Sequence, residues 1–321
     1  MHYTQLGSRG PRVSSVGFGA WAIGGRNWGA TDDEVSLRAL HAALDAGVTL
    51  IDTADVYGFG HSETLIARLL SERGKGELVI ATKAGNDFYH ADQTDDKGYG
   101  AIRQTYSREY LVFAAEQSLE RLGVDALDIL QLHSPDLDKL ERDEPWEALD
   151  QLRRQGKVRY TGLSIQSFKE SEQAHLLEQH ADLLDCIQVR YNLLERSAEE
   201  RLLPTAERLG IGVIVRIPLV FGLLTGKFTR RSTFGEDDHR AMNLSPEKLD
   251  GYLSACERLE PVFERHADQT RTQIALRFCT THPACHTCIP GAKTPEQVSE
   301  NCAAADLGRL SDEDLHDIAG C

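Results

Sequence analysis

Eight times along the 321-residue chain a short apolar run, often β-branched, gives way to a longer stretch with helical periodicity. The runs lie at 16–19, 48–51, 78–82, 126–132, 158–163, 184–189, 212–217 and 287–289. Short apolar runs bounded by turn residues read as strands, and the amphipathic stretches between them as helices. Thr31-Asp32-Asp33-Glu34 has capping-box spacing and opens a helix through Ala46, and Ser107 caps one that reaches Leu122. Further helices are expected from His61 to about Glu72 and over 145–155, 168–179, 198–209 and 295–303, with one or two more in the long connection 245–282. Strands alternating with helices pair in parallel through right-handed crossovers. Eight such units predict an α/β fold of the closed (β/α)8 kind, a TIM barrel. The rival is an open, doubly wound sheet. It carries G-x-G-x-x-G after its first strand, whereas Gly17-Phe18-Gly19-Ala20-Trp21 leads into a loop. A short hairpin, 3–6 and 12–16 around the turn-rich segment 7–11, precedes the barrel. No linker or composition shift divides the chain, so one domain, 1–321, is expected.

The formal net charge is −15, which disfavours nucleic acid and anionic membrane as partners because both need a basic face. No apolar run approaches membrane-span length. The first residues show no basic segment followed by an apolar one, so a cytoplasmic location is expected. Seven cysteines, an odd number, then read as reduced thiols. His282-Pro-Ala-Cys285-His286-Thr-Cys288 contains a C-x-x-C with flanking histidines. No second pair has zinc-site spacing, so these cysteines are read as small hydrophobes and no metal site is assigned. No exposed apolar helix face indicates an oligomeric state.

In a barrel of this kind chemistry gathers at the C-terminal ends of the strands. Asp52 ends the second strand, Lys83 the third and His133 the fourth, and Tyr57 lies five residues past Asp52 in a glycine-bounded loop. One such group alone reads as a solvated rim residue; four from consecutive strands make a site. A carboxylate at the mouth of an apolar strand costs free energy unless it is paired. A phenol, with a pKa of about 10, is a sluggish acid, but a neighbouring ammonium lowers that value. Lys83 is expected to do this, with Asp52 holding the ammonium in place. Tyr57 is then a general acid toward a carbonyl oxygen, and His133 a hydrogen-bond donor to the same oxygen. No side chain supplies a hydride, so the arrangement requires a nicotinamide.

These residues sit in I-D-T-A-D-V-Y-G (51–58), A-T-K-A-G (81–85) and L-Q-L-H-S-P-D (130–136), alongside I-Q-V-R-Y-N (187–192), P-L-V-F-G-L-L-T-G-K-F (218–228) and I-P-G-A-K-T-P-E-Q-V-S-E-N (289–301). On these motifs the chain resembles the aldo-keto reductases over nearly its whole length, and is most similar to the bacterial branch that also resembles potassium-channel β subunits. The resemblance implies that Asp52, Tyr57, Lys83 and His133 form the catalytic tetrad. It also implies that the substrate is a small aldehyde, ketone or sugar carbonyl, and that NADP is favoured over NAD. By the same resemblance Ser164 and Gln188 hold the nicotinamide carboxamide, and Leu219, Gly222 and Lys227 follow the pyrophosphate. Gly291, Lys293, Gln297, Glu300 and Asn301 surround the adenosine end, with Lys293 facing a 2′-phosphate. Gly291 allows close backbone approach, and the helix after it offers its N-terminus to a phosphate. Trp21 reads as an aromatic wall beside the nicotinamide; Trp28 reads equally as packing. Segment 228–242, with Arg230, Arg231 and Arg240, is a candidate cover over the phosphates, Arg240 being the expected contact. The polar loop 84–106, with Phe88, Tyr89, His90 and Tyr99, is a candidate substrate lid. Two positions depart from the family pattern. Ile165, not Asn, follows Ser164, and Arg216 stands two residues before Pro218, where many members place a Tyr under the nicotinamide. A guanidinium plane can stack on a ring, and it adds a charge. The likeness to channel subunits leaves a second reading, a nicotinamide sensor of slow turnover.

Overall fold

A computed structural model of the chain describes residues 1–25, 28, 31–91 and 102–320. Two antiparallel strands come first, β1 (Tyr3–Gln5) and β2 (Arg12–Ser14). Eight parallel strands follow: β3 (Phe18–Gly19), β4 (Leu50–Asp52), β5 (Val79–Ala84), β6 (Leu127–His133), β7 (Val158–Ser164), β8 (Cys186–Arg190), β9 (Gly212–Arg216) and β10 (Thr287–Cys288). Each strand pairs with the next in chain order. The seam between β3 and β10 is closed: Val16 bridges Cys288, the Gly17 N–H donates to Cys288 O at 2.8 Å, and the Gly19 N–H donates to Pro290 O at 3.0 Å. A Cβ on Gly19 would lie 2.6 Å from Ile289 O, so closure requires glycine there. The fold is the expected (β/α)8 barrel with an N-terminal hairpin.

Side chains alternate along each strand between the barrel interior and the helices outside. Leu50, Val79, Ala81, Ile129, Cys186 and Ile214 pack inside as one cluster, together with Leu6 and Val13 of the hairpin. Their strand neighbours Ile51, Ile80, Leu130, Ile187, Val213 and Val215 belong to the larger core beneath the helices. The hairpin therefore plugs the floor of the barrel, held by the Ser8 N–H donating to Gly210 O at 2.8 Å. Two residues further up the same inward face stand Asp52, Lys83, Gln131, Gln188 and Arg216, followed by His133 and Arg190. The interior is thus apolar below and polar above.

The helices follow the sequence with local corrections. Asp33–Asp45 is capped by Asp32, whose carboxylate accepts from the Val35 N–H at 2.9 Å, rather than by Thr31. A carboxylate is the stronger acceptor and also complements the helix dipole. Ser107 caps Arg108–Leu122 as expected. The stretch 245–282 holds three helices rather than one or two: Pro246–Arg258, Glu260–Arg265 and Arg271–Thr281. Pro261 cannot continue the first of these, and Thr270 with Gln273 forms a capping box that starts the last. A final helix, Asp312–Ala319, was not foreseen. Its capping box uses Asp314, fully buried, in place of the usual Glu or Gln.

Leu6 is fully buried in the interior cluster. Leu6→Ala should cost about 2–5 kcal/mol in urea denaturation; an effect below about 0.5 kcal/mol, typical of a surface change, would mean that the hairpin does not plug the floor.

Candidate active site

The parallel register aligns the strand ends so that Asp52 lies beside Ala81, and Lys83 beside Gln131. Lys83 is 1% exposed. Its ammonium donates to Asp52 Oδ1 and to Thr53 O, each at 2.7 Å, and stands 3.4 Å from the Tyr57 hydroxyl. The other carboxylate oxygen, Asp52 Oδ2, accepts from Gln188 Nε2 at 2.6 Å and Gln131 Nε2 at 3.4 Å. A turn, closed by the Tyr57 N–H donating to Ala54 O, brings the phenol back over the strand end. The Tyr57 ring lies 6.0 Å from Trp21, stacked, and 5.8 Å from His133, edge-on. His133 Nδ1 is buried with no hydrogen-bond partner among the described residues. Asp52, Tyr57 and His133 line a cavity of about 700 Å³; Lys83 lies behind them.

Burial holds the Tyr57 phenol well above its ordinary value, Asp52 adds to this, and Arg216 pulls the other way. The net effect opposes the lowering expected from Lys83, whose ammonium is committed to Asp52 and Thr53. The phenol is therefore protonated and ready to donate. Burial also lowers Lys83, with Asp52 opposing. Burial first, then Lys83 and Arg216, holds His133 well below its usual value, so the imidazole is neutral.

The cavity runs from Tyr57 to the N-terminus of the helix Pro295–Ala303, where Thr294 is the cap. It is lined by every residue expected at the cofactor: Trp21, Ser164, Gln188, Arg216, Leu219, Gly222, Lys227, Arg240, Gly291, Lys293, Gln297, Glu300 and Asn301. At the Tyr57 end, Ser164 Oγ lies 3.0 Å from Ser134 Oγ, and one amide hydrogen of Gln188 is spent on Asp52. Arg216 donates to Ile165 O and Ser167 Oγ, each at 2.9 Å. Burial and Arg190 push its pKa down to about 10. At the far end Lys293 Nζ donates to Trp28 O at 2.6 Å. Burial lowers both Lys227 and Lys293, and Arg240 lowers each of them further. Three cations thus crowd one stretch of cavity wall, with Arg240 gripped by Asp238. A Cβ on Gly291 would meet no protein atom nearer than Gly19 O at 3.7 Å. Packing within the protein therefore does not demand glycine there, and its open backbone suits a ligand.

Backbone strain collects on the rim. Ile217, Val220 and Phe221, after β9, have φ of 55°, 46° and 57°. Left-handed conformations at such residues cost about 1–3 kcal/mol each and persist where the surroundings over-determine them; here Asn192 Nδ2 donates to Ile217 O at 3.1 Å. Phe59, Ser134 and Phe168, after β4, β6 and β7, are the other non-glycine cases among the described residues.

Segment 228–242 is pinned to the loop after β3. Trp28 pairs with Asp238 as an antiparallel bridge. His239 stacks on Trp21 at 4.5 Å and meets Trp28 edge-on at 4.3 Å. Arg230 instead pairs with Asp250 and Glu257 outside the cavity. Of loop 84–106, Asn86 lines the cavity, whereas Phe88 is buried against Phe59 and the Tyr89 hydroxyl accepts from Arg121 at 2.6 Å. His90 pairs with Asp87. Tyr99 and the rest of 92–101 lie outside the described residues, as do Arg26 and Asn27. Sequence reasoning missed His239, Ser134 and the buried pair Arg190–Glu195, whose carboxylate also takes the Tyr252 hydroxyl. Arg190 was within reach, because it stands two residues beyond Gln188 on the same strand face. Cys285 and Cys288 are buried, and His286 Nδ1 accepts from the Val213 N–H at 3.1 Å. Among the described residues, no group of three or more His, Cys, Asp or Glu side chains could hold a metal ion.

Comparison with known proteins identifies the family and the fold. Residues 15–321 match the model of the aldo/keto reductase family. The chain is 35% identical to aldo-keto reductase YhdN of Bacillus subtilis (strain 168), over 99% of this chain and 92% of that protein. It is 31% identical to the NADH-specific methylglyoxal reductase of Escherichia coli (strain K12), over 96% and 94%. The structure of glycerol dehydrogenase AKR11B4 from Gluconobacter oxydans superposes with a TM-score of 0.83 at 32% identity, covering 99% of this chain and 94% of that one. A probable potassium-channel β subunit of Arabidopsis thaliana matches at 30% over 96% of this chain and 92% of its own. The family model and these relatives define the class of protein, an oxidoreductase on an eight-stranded barrel. The chain belongs to the aldo/keto reductase family.

Burial holds His239 near pKa 4, with Asp238 opposing and Arg240 and Lys293 adding to the depression. Unfolded, the group titrates near 6.5. Between those values the unfolded chain binds the proton and the folded chain does not, so stability is full above about pH 6.5 and falls as the pH drops toward 4. His239→Phe should flatten the stability–pH curve over that window by about 2 kcal/mol, discounted for partial exposure. Identical slopes in both proteins would contradict this account of His239.

Proposed function

We propose that the protein transfers a hydride between NADP(H) and the carbonyl of a small aldehyde, ketone or sugar, acting as one (β/α)8 unit over residues 1–321. The observation that carries this reading is a single cavity with a protonated, Lys-backed phenol at one end and three crowded cations at the other. The bound dihydronicotinamide would supply the hydride. Tyr57 donates its proton to the carbonyl oxygen as negative charge develops there. Lys83 stabilises the phenolate that remains, and Asp52 keeps the ammonium charged and in place. Neutral His133 offers a ring N–H to the same oxygen. In the reverse direction Tyr57 is the base, and an alcohol or sugar hemiacetal is oxidised.

Ser164 and Gln188 would hold the carboxamide, Leu219 and Gly222 would flank the pyrophosphate with Lys227, and Gln297, Glu300 and Asn301 would surround the adenosine. Arg240 and Lys293 favour a cofactor with the extra 2′-phosphate. One relative is named as NADH-specific, so the preference for NADP rests on these cations. The hydroxyls of Ser134 and Ser167 and the amide of Asn86 at the Tyr57 end suit a hydroxylated substrate, and one structural relative is named as a glycerol dehydrogenase. No described helix is long and apolar enough to cross a membrane, which fits work on small solutes in the cytoplasm.

Parallel fluorescence titrations should give tighter binding of NADPH than of NADH. Tyr57→Phe should lower turnover by about 10²–10⁴-fold and leave NADPH affinity within about twofold. Turnover that survives the substitution would remove Tyr57 from its role.

A further inference from the structure

We infer that Arg216 makes the site prefer the reduced cofactor: its guanidinium, fixed across the mouth of the barrel at the Tyr57 end of the cavity, disfavours the cationic, oxidised nicotinamide relative to the neutral, reduced one. The inference rests on the nicotinamide reading above and assigns a role to a residue that reading leaves without one.

Arg216 is the last residue of β9 and lies in register with Arg190 of β8. Its guanidinium reaches Ile165 O and Ser167 Oγ, both in the segment after β7. The side chain therefore spans the end of β8 and is anchored on the far side. It lines the cavity at the end that holds Tyr57, His133, Ser164 and Gln188. A carbonyl that takes its proton from Tyr57 must take its hydride there, so the nicotinamide ring must come to the same end.

No carboxylate among the described residues pairs directly with Arg216; Glu170 and Glu195 act on it only at a distance. Its buried Nε has no partner among the described residues. The carboxylates around it are engaged elsewhere: Asp52 with Lys83, Glu195 with Arg190, and Glu170 with Ser197 Oγ at 3.0 Å. With its pKa at about 10 it is charged at neutral pH.

Reducing a carbonyl places a hydride on carbon and a proton on oxygen, and it turns a neutral dihydropyridine ring into a pyridinium cation. Oxidising the alcohol returns the hydride to that cation and the proton to Tyr57. A fixed positive charge in a low-dielectric cavity opposes the cationic ring. The same charge favours the phenolate of Tyr57, which forms on the side of the oxidised ring, so the two effects offset during turnover. The preference is therefore read in the binary complexes, where Tyr57 is protonated with either form of the cofactor.

The test measures dissociation constants of NADPH and NADP⁺ for the full chain, at one salt concentration, in the wild type, Arg216→Lys and Arg216→Met. Phosphate contacts are common to both forms and cancel in the ratio. The wild type should prefer NADPH, and that preference should fall by about tenfold in Arg216→Met, equivalent to about 30 mV for a two-electron couple. Arg216→Lys should keep most of it, which a purely structural tie would not require. An unchanged ratio in Arg216→Met overturns the inference. So does a wild-type ratio near one, which needs no variant to fold. Failure of the wild type to bind either form overturns the nicotinamide reading itself, and this inference with it.

Discussion

The ion pair between Lys83 and Asp52 is the interaction on which the upper half of the barrel depends. Bringing two charges out of water costs several kcal/mol per ion, and their attraction offsets this only where the remaining donors and acceptors are met. Here they are met from several directions: Thr53 O takes a second ammonium hydrogen, and Gln188 and Gln131 donate to the far carboxylate oxygen. Strands β4, β5, β6 and β8 are thereby tied at one point above an otherwise apolar interior. Removing either charge leaves the other stranded, so the pair constrains both the architecture and the chemistry. Its second consequence is a phenol held next to a cation whose charge is already spoken for. Tyr57 rests protonated, and in the proposed reaction the ammonium matters most once that proton has left.

Stability and strain are separated along the barrel axis. The floor is apolar and plugged by Leu6 and Val13, while the seam closes at Gly19, level with Asp52, by a contact only glycine permits. The rim carries the left-handed backbone at Phe59, Ser134, Phe168, Ile217, Val220 and Phe221. Each follows a strand whose inward face has just turned from apolar to polar. A rigid lower layer allows the loops above it to hold unfavourable conformations.

The alternation of strands and helices made the barrel legible, and the strand-end positions of Asp52, Lys83 and His133 made it legible that these side chains meet at one candidate site. Period-two geometry accounts for both, since it sends Leu50 and Asp52, or Ala81 and Lys83, to the same face. What escaped depended on contacts distant in sequence. The Asp32 cap competed with a near-match at Thr31. The helix Asp312–Ala319 used an aspartate that pairs with Arg265, far away in the chain. His239 carries no local signal, because its setting is made by Trp21 and Trp28 from the other side of the cavity. The net direction of the Tyr57 shift depended on burial, which spacing alone does not report.

The most direct test of the account is the first-turnover rate of hydride transfer in Lys83→Met, measured with saturating NADPH and an aldehyde beside the wild type. Because Lys83 lies behind the cavity wall, NADPH affinity should be nearly unchanged while the rate falls by about 10² or more. A variant that binds NADPH and transfers hydride at close to the wild-type rate would contradict the claim that the buried pair drives proton transfer from Tyr57.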